Sequence, residues 1–116
     1  MAARKSCLVA IAMVVILSAW GCADKVKKPK PLLTEQQMIE VLADSYLIEA
    51  ELNQRKTTGE NVTKLQEAYY SQLFEHYGIN DSIFEQNMYF YTQYPEVLER
   101  IMDSVSQRFI NAQANQ

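Results

Sequence analysis

Cysteine, histidine and glycine are scarce in this chain of 116 residues, which has two, one and three of them. Beyond residue 21 only Gly59 and Gly78 remain, so no glycine-rich loop exists to cradle a phosphate. His76 is the single histidine, and both cysteines, Cys7 and Cys22, fall in the first 22 residues. A His/Cys zinc site and a Cys–His nucleophile pair therefore lack their parts. No sequence pattern places a serine on the strained turn that serine nucleophile chemistry needs. No segment alternates apolar and polar residues for long enough to compete as a strand. These absences predict a non-enzymatic, all-α protein with no cofactor and no metal.

The longest apolar run sits at the start. Arg4 and Lys5 precede a nearly unbroken stretch from Cys7 to Ala19, followed by small residues around Gly21. As a helix this stretch would span about 20 Å, short of a ~30 Å hydrocarbon core. The pattern is that of an export signal, predicted over residues 1–21. Ala19-Trp20-Gly21-Cys22 resembles the bacterial lipobox, matching in Gly21 and Cys22 and departing at Trp20, where a small residue is usual. The resemblance implies acylation of the Cys22 sulfur after cleavage. Several acyl chains give a stable membrane anchor where one gives only marginal binding, and acylation removes a thiol with no partner for a disulfide.

Positive charge is the next shortage. Without the signal the chain has nine basic and fourteen acidic residues, a formal net charge of −5. That excludes nucleic acid as the expected ligand. Residues 22–31 read as the lipidated cysteine and a flexible tether: Val26 is their one sizeable apolar residue, accompanied by two prolines and four lysines. A polyproline-like segment of this kind spans roughly 25–30 Å, and its lysines read as a solvated spacer.

A helical domain is expected over residues 32–112. Thr34 with Gln37 is a capping box, and Leu33 can staple onto Met38. Val41, Leu52, Ser45, Met38, Glu49, Leu42, Tyr46 and Ile39 share one face of the first helix, with Glu40, Asp44 and Glu51 opposite. That helix is expected to fade into the polar loop 53–61. The second runs from about Val62 to Tyr77, with Gly78 and Ile79 forming a Schellman ending against Phe74. Asn80 caps the third helix, with Asp81 in its first turn. Pro95 stops the third and suits the first turn of the fourth, whose stripe is Leu98, Ile101, Met102, Val105 and Phe109. The expected architecture is two longer helices, the first and second, over a helical hairpin split at Pro95.

Polar residues on apolar faces are the candidate site. Glu49, Asn87 and His76 fall on inner stripes, while Asp44, on the opposite acidic face with Glu40 and Glu51, is a candidate contact for a partner. Buried polar groups cost several kcal/mol unless paired, and the seven tyrosines offer hydroxyls. The favoured reading is a structural hydrogen-bond cluster with His76 as a core histidine; a small ligand pocket is the alternative. Tyr89 points away from its helix's inner face and, with Tyr69 or Tyr70, is a candidate contact for a partner.

Three stretches carry a family resemblance: "PLLTEQQMIEVLADSYLIEAEL" at 31–52, "YYSQLFEHYGI" at 69–79 and "FEQNMYFYTQYPEVLERIMDSVSQRF" at 84–109. Their order resembles the small Gram-negative lipoproteins of domain of unknown function 4296. The resemblance brings no activity and implies a helical fold and a lipid anchor. Ala23, rather than Asp, directly after Cys22 suggests the outer membrane, facing the periplasm. The expected function is an accessory or scaffold subunit of an envelope assembly, with an envelope protein as partner and a second copy of the chain as another candidate. A periplasmic holdase is the alternative, with a small-ligand binder behind it.

Overall fold

The computed structural model describes residues 26–116. The expected signal over residues 1–21 and the acylation site at Cys22 lie outside the described residues. Four helices follow in order: α1 Glu35–Thr57, α2 Thr63–His76, α3 Asp81–Thr92 and α4 Pro95–Ala114. Among the described residues there is no strand.

The helix ends form by the local rules read from the sequence. Gln37 N–H donates to Thr34 Oγ1 at 3.1 Å and Thr34 N–H donates back to Gln37 Oε1 at 2.9 Å, closing the capping box of α1. α2 ends with Gly78 at φ +66°. Ile79 N–H donates to Phe74 O at 2.9 Å and Gly78 N–H to Glu75 O at 3.1 Å, the two bonds of a Schellman motif. Asn80 Oδ1 accepts Ile83 N–H at 2.8 Å to start α3, and Pro95 opens α4.

α1 outruns its expected end by a turn and continues to Thr57. Arg55 Nε donates to Glu51 Oε1 at 2.7 Å, a pair four residues apart. Arg55 and Lys56 also lie at the negative end of the helix dipole. Only Gly59, at φ +85°, breaks the helix, in a second Schellman ending where Glu60 N–H reaches Arg55 O at 3.2 Å.

The two long helices are α1 and α4, not the first and second. No glycine or proline interrupts the chain from Glu96 to Gln116, so α4 runs for 20 residues and its apolar stripe, from Val97 to Phe109, packs against α1. α1 is therefore central, with α4 on one side and α2 on the other, while α3 folds back on α4. The core joins Leu33, Met38 and Leu42 to Phe90, Tyr91, Ile101 and Val105. Met38, Leu52 and Ile101 are wholly buried. α4 continues two residues past the expected boundary at 112.

The stretch expected as a tether differs most. Val26 is half-buried against the core and Pro29 is buried. Asn87, itself wholly buried, donates from Nδ2 to Pro31 O at 3.0 Å and accepts Leu33 N–H on Oδ1 at 2.8 Å. One turn on, Tyr91 OH donates to Leu33 O. Residues 26–33 are thus laid on the domain by two side chains of α3.

Candidate partner-binding surface

The polar residues singled out in the sequence do not form one cluster. Asp44 and Glu49 sit on the seam between α1 and α2, where each accepts a phenol. Tyr77 OH donates to Asp44 Oδ2 at 2.6 Å, and Tyr70 OH to Glu49 Oε1 at 2.5 Å. As the carboxylates advance along α1 the tyrosines retreat along α2, which is the register of an antiparallel pair. Burial, then the hydrogen bond to the carboxylate, pushes both phenols up to about 12 from the usual 10. Asn87 belongs to α3 and serves the segment before α1. Its second Nδ2 contact, to Ile83 O at 2.9 Å, completes its bonding within protein. A helical wheel shows that Glu49 and Asn87 face inward but not which neighbour each meets; Asp44, expected on the opposite side, joins the seam because α2 brings the Tyr77 hydroxyl to it.

His76 is not a core histidine. It is exposed in the last turn of α2 and meets the Tyr77 ring edge-on, with centroids 4.9 Å apart. Tyr77 takes the inward place at that turn, because its hydroxyl finds Asp44. Tyr69 and Tyr70 are both half-buried, and Tyr89 is 66% exposed.

An exposed apolar feature lies on α1, around Tyr46 and Leu47. Leu47 is 56% exposed. Tyr46, expected on the inner face, is 45% exposed and leans edge-on against Phe109 of α4 at 6.5 Å. Leu47 is a ridge between two open grooves. One, of about 400 Å³, runs between α1 and α2 and is lined by Ile48, Tyr69 and Leu73, with Asp44, Glu51 and His76 at its rim. The other, of about 500 Å³, runs between α1 and α4 over Tyr46, Ala50, Met102 and Phe109. Ile110, 55% exposed, lies one position beyond Phe109 on α4. An apolar surface of this continuity is informative where single exposed residues are not.

Sequence reasoning missed Leu47 because it falls among Glu40, Asp44 and Glu51 on the outer side of α1. The signal was present: a large aliphatic residue opposite the core stripe of a helix, with nothing in the local pattern to cover it. Among the described residues, no group of three or more His, Cys, Asp or Glu side chains is placed to hold a metal ion. No helix among them is long and apolar enough to cross a membrane.

The family model of domain of unknown function DUF4296 matches residues 29–115, and the chain belongs to that family. The match begins within the segment that packs on α3, so the family's unit includes Pro29 as well as the four helices. No curated protein and no solved structure matches the chain.

Proposed function

We propose that this DUF4296 protein is a lipid-anchored, non-enzymatic protein of the bacterial cell envelope whose helical domain docks a partner protein. It serves as an accessory or scaffold subunit of an envelope assembly, held through Cys22 at the outer membrane and facing the periplasm. The observation that carries the docking role is the Leu47 ridge with an open apolar groove on each side. A ridge flanked by grooves suits a helix or hairpin that places its own side chains in both. Asp44 at the rim, paired with the neutral Tyr77 phenol, favours a partner with a basic residue beside an apolar centre. The anchor is supported by the order of charge, apolar run, small residue and cysteine in residues 4–22.

The test is crosslinking in living cells from a photoreactive residue at position 47. One dominant envelope protein, caught in near-equal amount, is the expected result. A broad collection of exported chains would replace the subunit with a holdase that uses the same grooves for unfolded clients. Absence of any protein adduct on a folded, anchored chain would overturn both.

A further inference from the structure

The geometry points to a second working face: the Val26–Pro31 segment and Tyr89 rest on the anionic phospholipid surface of the membrane that carries the anchor. This inference rests on the proposed acylation of Cys22. The first argument is length. The described chain is fixed to α3 from Val26 onwards, by burial of Pro29 and by the Asn87 bond to Pro31. From Cys22 to Val26 the chain advances four residues, which reach at most about 14 Å even when extended. A domain held that closely must turn one side to the lipid, and the side nearest the attachment is the one bearing this segment.

The second argument is charge. Residues 22–31 carry four lysines and one aspartate, whereas residues 32–116 carry five basic and thirteen acidic residues. The chain is therefore polarised, and an anionic surface attracts its first ten residues while repelling the helical body. Lys27, Lys28 and Lys30 are exposed, and among the described residues none of them is in an ion pair. They line one groove of about 620 Å³ together with Pro29, Gln86 and Tyr89, where Glu85 is the single acidic group. The third argument is Tyr89 itself. An amphipathic ring that is 66% exposed beside lysines suits the headgroup layer, where tyrosine is enriched. The lysines, read from sequence as a solvated spacer, are held as a fixed patch because Asn87 pins the backbone behind them.

The experiment uses the mature acylated protein in vesicles of mixed zwitterionic and anionic phospholipid containing bromine-labelled chains. Trp20 is the single tryptophan and leaves with the signal, so Tyr89→Trp supplies the only tryptophan emission. Emission from position 89 should be quenched several-fold more than emission from Tyr46→Trp, which lies in the groove between α1 and α4 and not beside the lysines. Replacing Lys27, Lys28 and Lys30 with Gln should lower that quenching, since each lysine near an anionic surface contributes about fivefold to partitioning. The mass of the purified chain reads the anchor independently. An acylated chain with position 89 quenched no more than position 46 overturns the docked face alone. A chain without acyl mass overturns the anchor and this orientation together.

Discussion

Asn87 Oδ1 accepts the backbone N–H of Leu33 at 2.8 Å across 54 positions of sequence, and this bond sets where the domain begins. It satisfies a buried Leu33 N–H, and the Nδ2 bond to Pro31 O ties the preceding residues to α3 as well. The segment before α1 is thereby part of the fold, and α1 starts from a fixed point.

Replacement of Asn87 by Ala should therefore destabilise the protein more than a typical polar substitution. It removes two long-range bonds and strands Leu33 N–H in an apolar setting, at a cost of about 2–3 kcal/mol. For a domain of this size the melting temperature should fall by on the order of 10 °C, read by circular dichroism. A change within a degree or two would show that the segment is not held.

Core and surface isoleucines on the same helix provide a calibrated contrast. Ile101 is wholly buried, and Ile101→Ala should cost roughly 2–5 kcal/mol. In a core this small, that loss is a large fraction of the total stability. Ile110→Ala, at a position 55% exposed, should change stability by no more than about 0.5 kcal/mol. Urea denaturation of the two variants measures both.

The α1–α2 seam should loosen at alkaline pH. Tyr70 and Tyr77 are raised to about 12, above the ordinary 10 expected in the unfolded chain. A group whose folded pKa is raised contributes stability that is fully present below pH 10 and is lost as pH rises through 12. Tyr91, raised in the same direction by burial, then by Glu35, adds to the loss. Stability should therefore fall between pH 10 and 12. The Tyr70→Phe, Tyr77→Phe double variant should fall less steeply, while losing about 1 kcal/mol per bond at pH 7. Equal pH slopes for the two proteins would mean that these bonds do not couple to folding.

Much of this fold was legible because its signals are local. The capping box at Thr34, the Schellman ending at Gly78, the Asn80 cap and Pro95 each act within four or five residues, and all four form as read. Asn87 and Glu49 could also be marked as polar residues on apolar faces. Their partners lay 21 to 56 positions away, where periodicity within one helix carries no information. The order of packing is not a local property either: the pattern makes the first and second helices the longer pair, while the uninterrupted length of α4 decides which helix lies along α1. Tyr46 and Leu47 show the limit most clearly. Leu47 stands out locally as an aliphatic residue among acids, but Tyr46 does not differ from a covered position, and only the spacing of α1 and α4 leaves it open.

The anchor has a direct genetic test. Cys22→Ser should leave the chain at its full precursor mass and deplete the acylated form from the membrane fraction, as followed by immunoblot and mass spectrometry. Normal processing with the chain still held at the membrane would assign attachment to something other than that sulfur.

The docking surface can be separated from folding because Leu47 is exposed. Leu47→Asp should leave the melting temperature within a few degrees, as surface changes do. The most direct measurement of the docking role is therefore the native size of the protein extracted from the envelope in mild detergent, wild type beside Leu47→Asp. The wild type should migrate in an assembly much larger than a single chain, and the variant should migrate alone with its melting temperature retained. Identical sizes for two equally stable proteins would contradict a docking role for the Leu47 ridge.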